Sequence, residues 1–301
     1  MMVKQLSREK TMVIVTCCRD MWGFEILCRS ICKLVKPCKI VIIINEEDMY
    51  CDAWLFWYEK YISTFLAPHS PTVYKRSEIY KFDVPYEHIS DGWVQQQVLK
   101  LFAAEYVDTN QYVCIDSKNF FFRKTDIDQI KQTEQRVDWL HPWLIEWCKH
   151  VCSILEVEFT GRENFALTQN ITPFVMTTKY VRDMIRHFGT KKQFFDKFFI
   201  LKLPNTTCSP SEFIFYDIWC KKKNYPPDNF TTQNSATIWQ HTLDEDIDLY
   251  KYLSESHQIF GITVTGFHKG IKGRFSLNQC VSLLHKLNCK EFMPKSVNYP
   301  F

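Results

Sequence analysis

Glycine is scarce. Only 8 glycines occur in 301 residues, and they form neither a GxGxxG nor a GxxxxGK[ST] pattern. Cradling a nucleotide's phosphates in a glycine-rich backbone loop of either kind is therefore disfavoured. A strong excess of one charge is lacking too. Lys plus Arg number 37 and Asp plus Glu 34, a net of +3, which speaks against general nucleic-acid binding but leaves room for a local anion site. The 13 cysteines include no CxxC pair. Cys148, His150 and Cys152 come nearest to a metal cluster, and no second Cys/His pair stands at a usual ligand spacing, so buried thiols in a reducing compartment are the simpler reading. The charged opening MMVKQLSREK is followed by only a short apolar run, which fits neither a secretory signal nor a membrane anchor. The expectation is a cytoplasmic protein without a transmembrane segment.

Apolar residues are plentiful: 46% of the chain is hydrophobic and 16% aromatic, enough for a large α/β core. TMVIVTC (11–17) is a β-branched run. GFEILCRSICKLV (23–35) then sets Phe24, Leu27, Ile31 and Leu34 at helical spacing, and KIVIIIN (39–45) is apolar again. Strand, helix and strand in quick succession, with strands apolar on both faces, predict a parallel sheet covered by helices. Ligand sites in such sheets lie beyond the carboxyl ends of the strands. That rule places Thr16, Arg19 and Asp20 after the first strand, and Asn45, Glu46 and Glu47 after the second, around one crevice.

Further along, 49–65 reads as an aromatic helix, 73–85 as extended, 91–107 as a helix and YVCID (112–116) as a buried strand. Helices are expected again at 143–155, 179–188, 209–219 and 276–287, and strands at 172–178 and 258–264. Ser209 or Ser211 is a candidate cap and Glu212 falls in the first turn of its helix. No repeat or low-complexity linker interrupts the pattern, so a single domain over 1–301 is expected. Gln96 and Lys100, on the helix before the motif strand, are candidates to reach the crevice.

Residues 92–126, GWVQQQVLKLFAAEYVDTNQYVCIDSKNFFFRKTD, form the most specific stretch. They resemble a family of glycosyltransferases of unassigned specificity: a Gly-Trp, a Gln-Gln and a Lys-Leu on one helix, a strand ending in an Asp-based triplet, then an aromatic and Arg segment. The likeness extends to VTCCRDMWGFEILCRSI, TPFVMTTKYVRDMI and SEFIFYDIW, and more weakly to VTGFHKGIKGRF. It implies a GT-A-like, Rossmann-related α/β fold, with a mixed and mostly parallel sheet flanked by helices. Residues 1–125 would form the nucleotide-sugar-binding half and 126–301 the acceptor-binding half.

The triplet sits where that class has Asp-x-Asp, two carboxylates that hold Mn²⁺ or Mg²⁺ against the departing diphosphate. Here Lys118 replaces the second acid. Asp116 alone remains as a candidate metal ligand, and metal independence becomes a second possibility. Two readings of Lys118 stay open. Its ammonium contacts the diphosphate while Asp116 binds ribose or sugar hydroxyls, or Lys118 pairs with Asp116 and transfer activity is lost. Both assume that side chains 116 and 118 point the same way along a strand.

Glu212, among aromatic residues, is the candidate general base, since burial raises a carboxyl pKa towards the useful range. His268 and Lys269 lie in a loop, 266–274, that gathers 3 glycines and 4 basic or imidazole groups. They are candidates to close over the phosphates. The expected activity is transfer of a sugar from a nucleotide-sugar donor to a glycan or other hydroxyl acceptor. The alternative is a catalytically silent nucleotide-sugar or glycan-binding protein on the same fold.

Overall fold

The computed structural model describes residues 7–82, 92–136, 142–160, 166–168, 172–200, 211–226, 230–231, 235–238, 259–262 and 277–294. In chain order the first elements are β1 (Ser7–Thr16), α1 (Met21–Leu34), β2 (Lys39–Ile44), α2 (Asp48–Tyr61), α3 (Ser63–Leu66), β3 (Pro71–Lys75) and α4 (Arg76–Ile79). Then come α5 (Gly92–Phe102), β4 (Thr109–Asp116), β5 (Asn119–Phe121), β6 (Gln132–Arg136), α6 (Pro142–Ile154), β7 (Ala166–Thr168) and β8 (Phe174–Thr177). After these run α7 (Thr178–His187), α8 (Lys191–Ile200), α9 (Glu212–Lys222), three short strands and α10 (Leu277–Lys286).

The main sheet has the order β3-β2-β1-β4-β8. Its first four strands are mutually parallel and β8 runs antiparallel to β4. It is thus the expected mixed, mostly parallel sheet flanked by helices. Both faces are covered, and the alternation of β1 shows why its sequence is apolar throughout. Met12 and Ile14 pack with α1 and α2 through Phe24, Leu27, Trp54 and Trp57. Val13 and Val15 pack on the other side with Val94, Val98 and Phe102 of α5 and with Met184 of α7. A strand with an apolar layer on each side cannot show the polar alternation of a half-exposed one.

The register brings the strand ends together. Lys75 pairs with Ile44 and Ile44 with Thr16, while Val15 pairs with Asp116. Residues that follow these positions therefore share one edge. The extended stretch expected at 73–85 is realised only to Lys75, because Glu78 accepts a hydrogen bond from the Lys75 amide (2.6 Å) and the chain turns into α4. The aromatic helix at 49–65 is interrupted at Ile62. Trp54 is fully buried between Phe24 (5.5 Å between ring centroids) and Tyr58 (5.3 Å, stacked). No helix among the described residues is long and apolar enough to cross a membrane.

Candidate functional site

β4 delivers Asp116 to the carboxyl edge, and the chain then turns sharply. Ser117 and Lys118 form a tight turn into β5, so the side chains of Asp116 and Lys118 do not share a strand face as the triplet spacing suggested. Asn119 closes the turn: its Oδ1 accepts from the Asp116 amide (2.8 Å) and from Thr172 Oγ1 (2.6 Å). An Asn placed to bond a nearby backbone amide is a familiar turn-former. That signal is carried by the sequence itself.

The turn docks on the start of α1. Ser117 Oγ donates to Asp20 Oδ2 (2.9 Å), and Lys118 Nζ lies 3.7 Å from Asp20 Oδ1. Thus the acid that Lys118 reaches is Asp20, not Asp116. Gly23 makes the approach possible, since a Cβ there would stand 3.2 Å from the Ser117 carbonyl oxygen. For Gly23→Ala, a helix-propensity gain of up to about 1 kcal/mol opposes this crowding. We expect a melting temperature close to wild type but weaker ligand binding, read by comparing thermal melts with ligand titrations.

Behind the edge lies a buried charge relay that sequence spacing did not reveal. Lys100 Nζ stands 2.8 Å from Asp116 Oδ1 and 2.8 Å from Glu212 Oε1. It also lies 4.9 Å from the Phe213 ring centroid. Lys100 is 3% exposed and Glu212 0%, whereas the Asp116 side chain is 39% exposed. Only Asp116 opens outward, and it does so through the part of its carboxyl not turned to Lys100, because Oδ1 itself is buried. Ser211 caps α9 by accepting from the Phe213 amide (3.1 Å), and its hydroxyl lies 3.2 Å from Glu212 Oε2.

Burial pushes the Glu212 carboxyl above its ordinary range, against the pull of Lys100. Burial acts on Asp116 in the same sense, but there the Lys100 ammonium prevails and holds the carboxyl below its ordinary range. Burial alone would lower Lys100; the two acids outweigh it and push the ammonium pKa well up. Glu212 is thus fully buried, with Lys100 Nζ and the Ser211 hydroxyl against its carboxyl, and Lys100 is nearly as buried between the two acids.

The other expected residues fall around the same edge. Thr16 is 2% exposed, and its Oγ1 has no protein hydrogen-bond partner. Arg19 is exposed on the short turn before α1, and Asp20 is taken up by Ser117 and Lys118. Gln96 is partly exposed and donates to the Val15 carbonyl (3.4 Å). Glu46 accepts from the Cys18 amide (2.8 Å). Arg76, inside the stretch 73–85 that the sequence predicts as extended, donates through Nη1 to Asn45 Oδ1 (3.3 Å) and to Gln95 Oε1. Asn45 in turn donates to the Gly92 carbonyl (2.8 Å), tying the start of α5 to the end of β2. His268 and Lys269, with the rest of the 266–274 loop, lie outside the described residues.

Asp116 already shares Lys100, an ammonium stands at the position of a second acid, and among the described residues no group of three or more His, Cys, Asp or Glu is placed to hold a metal ion.

Residues 11–264 match the model of a family described as a family of unknown function, DUF6492. No curated protein matches the sequence. Solved structures similar to this chain include apo mouse xyloside xylosyltransferase 1, with a TM-score of 0.44 at 9% identity, covering 85% of this chain and 98% of that one. The WbbM bifunctional glycosyltransferase gives 0.47 at 11% identity, covering 89% of this chain and 47% of that one. The apo glycosyltransferase GlyE of Streptococcus pneumoniae TIGR4 gives 0.42 at 10% identity, covering 93% and 60%. This chain therefore spans about half of WbbM and three-fifths of GlyE.

Proposed function

We propose that this chain, which belongs to the DUF6492 family of unknown function, transfers a sugar from a nucleotide-sugar donor to a hydroxyl of a glycan or other acceptor. The donor would lie over the carboxyl edge of the main sheet. The observation that carries the reading is Asp116: an outward-facing carboxylate at a central strand's end, ionised by a buried lysine and fixed by its own backbone bond to Asn119.

A carboxylate held below its ordinary range is a poor base and a good hydrogen-bond acceptor, so Asp116 serves as a ligand for ribose or sugar hydroxyls. Lys118, 37% exposed and lightly held by Asp20, is the cation that swings to the diphosphate as its charge grows. Stabilising that charge is what lowers the barrier to sugar transfer. Lys100 and Glu212 are positioning residues, since neither reaches the surface. Together these roles favour transfer without a metal.

The experiment is a panel of nucleotide sugars assayed for release of free nucleotide, with Mn²⁺ added or with a chelator. Release that persists under chelation is expected. Release abolished by the chelator and restored by Mn²⁺ would return the metal to the mechanism. One observation favours the second reading, a silent sugar-nucleotide or glycan-binding protein: both motif charges are compensated internally, Asp116 by Lys100 and Lys118 by Asp20. Tight donor binding with no turnover across a broad acceptor set would establish it.

A further inference from the structure

Arg76 is the cation that the site as described does not use. It stands at the first position after β3, in line with Asn45 after β2 and Thr16 at the end of β1. One guanidinium nitrogen, Nη1, donates to two neutral amide oxygens, those of Asn45 and Gln95. Among the described residues neither Nε nor Nη2 has a protein hydrogen-bond partner, and neither is a buried orphan. Among the described residues Arg76 has no carboxylate ion pair, although it is only partly exposed.

Four acids of the neighbouring described segments are engaged elsewhere. Asp52 pairs with Lys75 (2.7 Å), Asp48 accepts from Ser77 (2.7 Å), Glu78 from the Lys75 amide and Glu46 from the Cys18 amide. A guanidinium drawn partly out of water and left without a counterion is unusual, because its desolvation is normally offset by an acid. The Nε–Nη2 edge is the pair of parallel donors that matches two oxygens of a phosphate or carboxylate. Two amides orient that edge without neutralising its charge, and this is how an anion site is held ready.

We infer that Arg76 is an anion-recognition residue, and that it takes phosphate oxygens of the nucleoside diphosphate moiety at the β2–β3 side of the carboxyl edge. Adjacent strands lie about 4.8 Å apart, so the ends of β3 and β4, three steps apart, are separated by roughly 14 Å. The Arg76 head is drawn inward by Asn45 and Gln95. Lys118 at one side and Arg76 at the other then bracket the space a nucleoside diphosphate would occupy. The phosphate chemistry stands on the Arg76 geometry alone; naming the ligand a nucleoside diphosphate rests on the donor reading.

The test is calorimetric titration of the whole chain with UDP, GDP, ADP and CDP, the matching nucleosides, and inorganic pyrophosphate. Wild type is compared with Arg76→Lys and Arg76→Gln, each checked by thermal melting. At least one nucleoside diphosphate should bind wild type. Arg76→Gln should weaken it by tenfold or more while leaving affinity for the bare nucleoside within twofold, and Arg76→Lys should recover part of the loss. Diphosphate affinity unchanged in Arg76→Gln overturns the inference and leaves the donor reading standing. An equal loss of nucleoside and diphosphate binding, or no binding of any phosphate compound by wild type, also overturns it. Pyrophosphate bound without preference for any nucleotide, and lost in Arg76→Gln, supports the anion site and removes the donor reading.

Discussion

Lys100→Met should cost roughly 3–5 kcal/mol of folding stability at pH 7, the range for removing one partner from a buried ion pair. The methionine fills nearly the same volume, so the loss is electrostatic. Asp116 and Glu212, each 2.8 Å from Nζ, lose that ammonium, and one of them is 0% exposed. The sign of the pH dependence follows. In wild type the Asp116 carboxyl is held below its ordinary range, so its contribution is present above that range and is lost as pH falls through the folded value. In the variant the pull of Lys100 is gone, and burial, which pushes both carboxyls up, is expected to prevail at Glu212 and to offset the remaining pulls on Asp116. The variant is therefore least stable at neutral and alkaline pH and regains stability as pH falls into the carboxylate range. The gap between the two proteins should narrow from pH 8 to pH 5 in denaturant titrations. Adding Glu212→Gln to Lys100→Met should restore part of the loss, since one buried charge goes with it. A gap that is flat or widens on acidification would show that Lys100 acts through packing and not through charge.

Lys118→Ala carries the largest expected effect on turnover. If its ammonium meets the diphosphate as charge develops, its removal resembles loss of one electrostatic donor from a transition-state site, about 10²–10³ in kcat. The fold should be unaffected. Lys118 is 37% exposed, and its contact with Asp20 at 3.7 Å belongs to the class of pairs worth about 0–1 kcal/mol. The same melting curve with nucleotide release down by that factor is the expected result, and Lys118→Arg should retain part of the activity because it keeps the charge. Turnover equal to wild type in Lys118→Ala would remove Lys118 from the mechanism and leave diphosphate stabilisation to other groups.

How far the sequence reached varies by element. TMVIVT and KIVIII were readable as strands because each is buried on both faces, and Phe24, Leu27 and Ile31 marked α1 by spacing. α9 was readable from its cap, Ser211, ahead of Glu212. α8 was not read, although Phe194 and Phe198 stand one turn apart and are fully buried. Its lysine-rich start masked the apolar stripe. Arg76 was hidden because a β-branched and aromatic run looked continuous, and only the Glu78 side chain stops it at Lys75.

By itself the sequence determined the sheet-and-helix architecture and which polar residues follow the strand ends, because hydrophobic period and strand-end polarity are local properties of the chain. Which charges meet was decided only by the tertiary structure. Lys100, Asp116 and Glu212 come from a helix, a strand and a second helix as much as 112 residues apart along the chain. Lys118 left Asp116 for Asp20 because a turn, not a strand, follows residue 116. Ion pairing depends on separations of a few ångströms and on burial, and the packing of distant elements sets both.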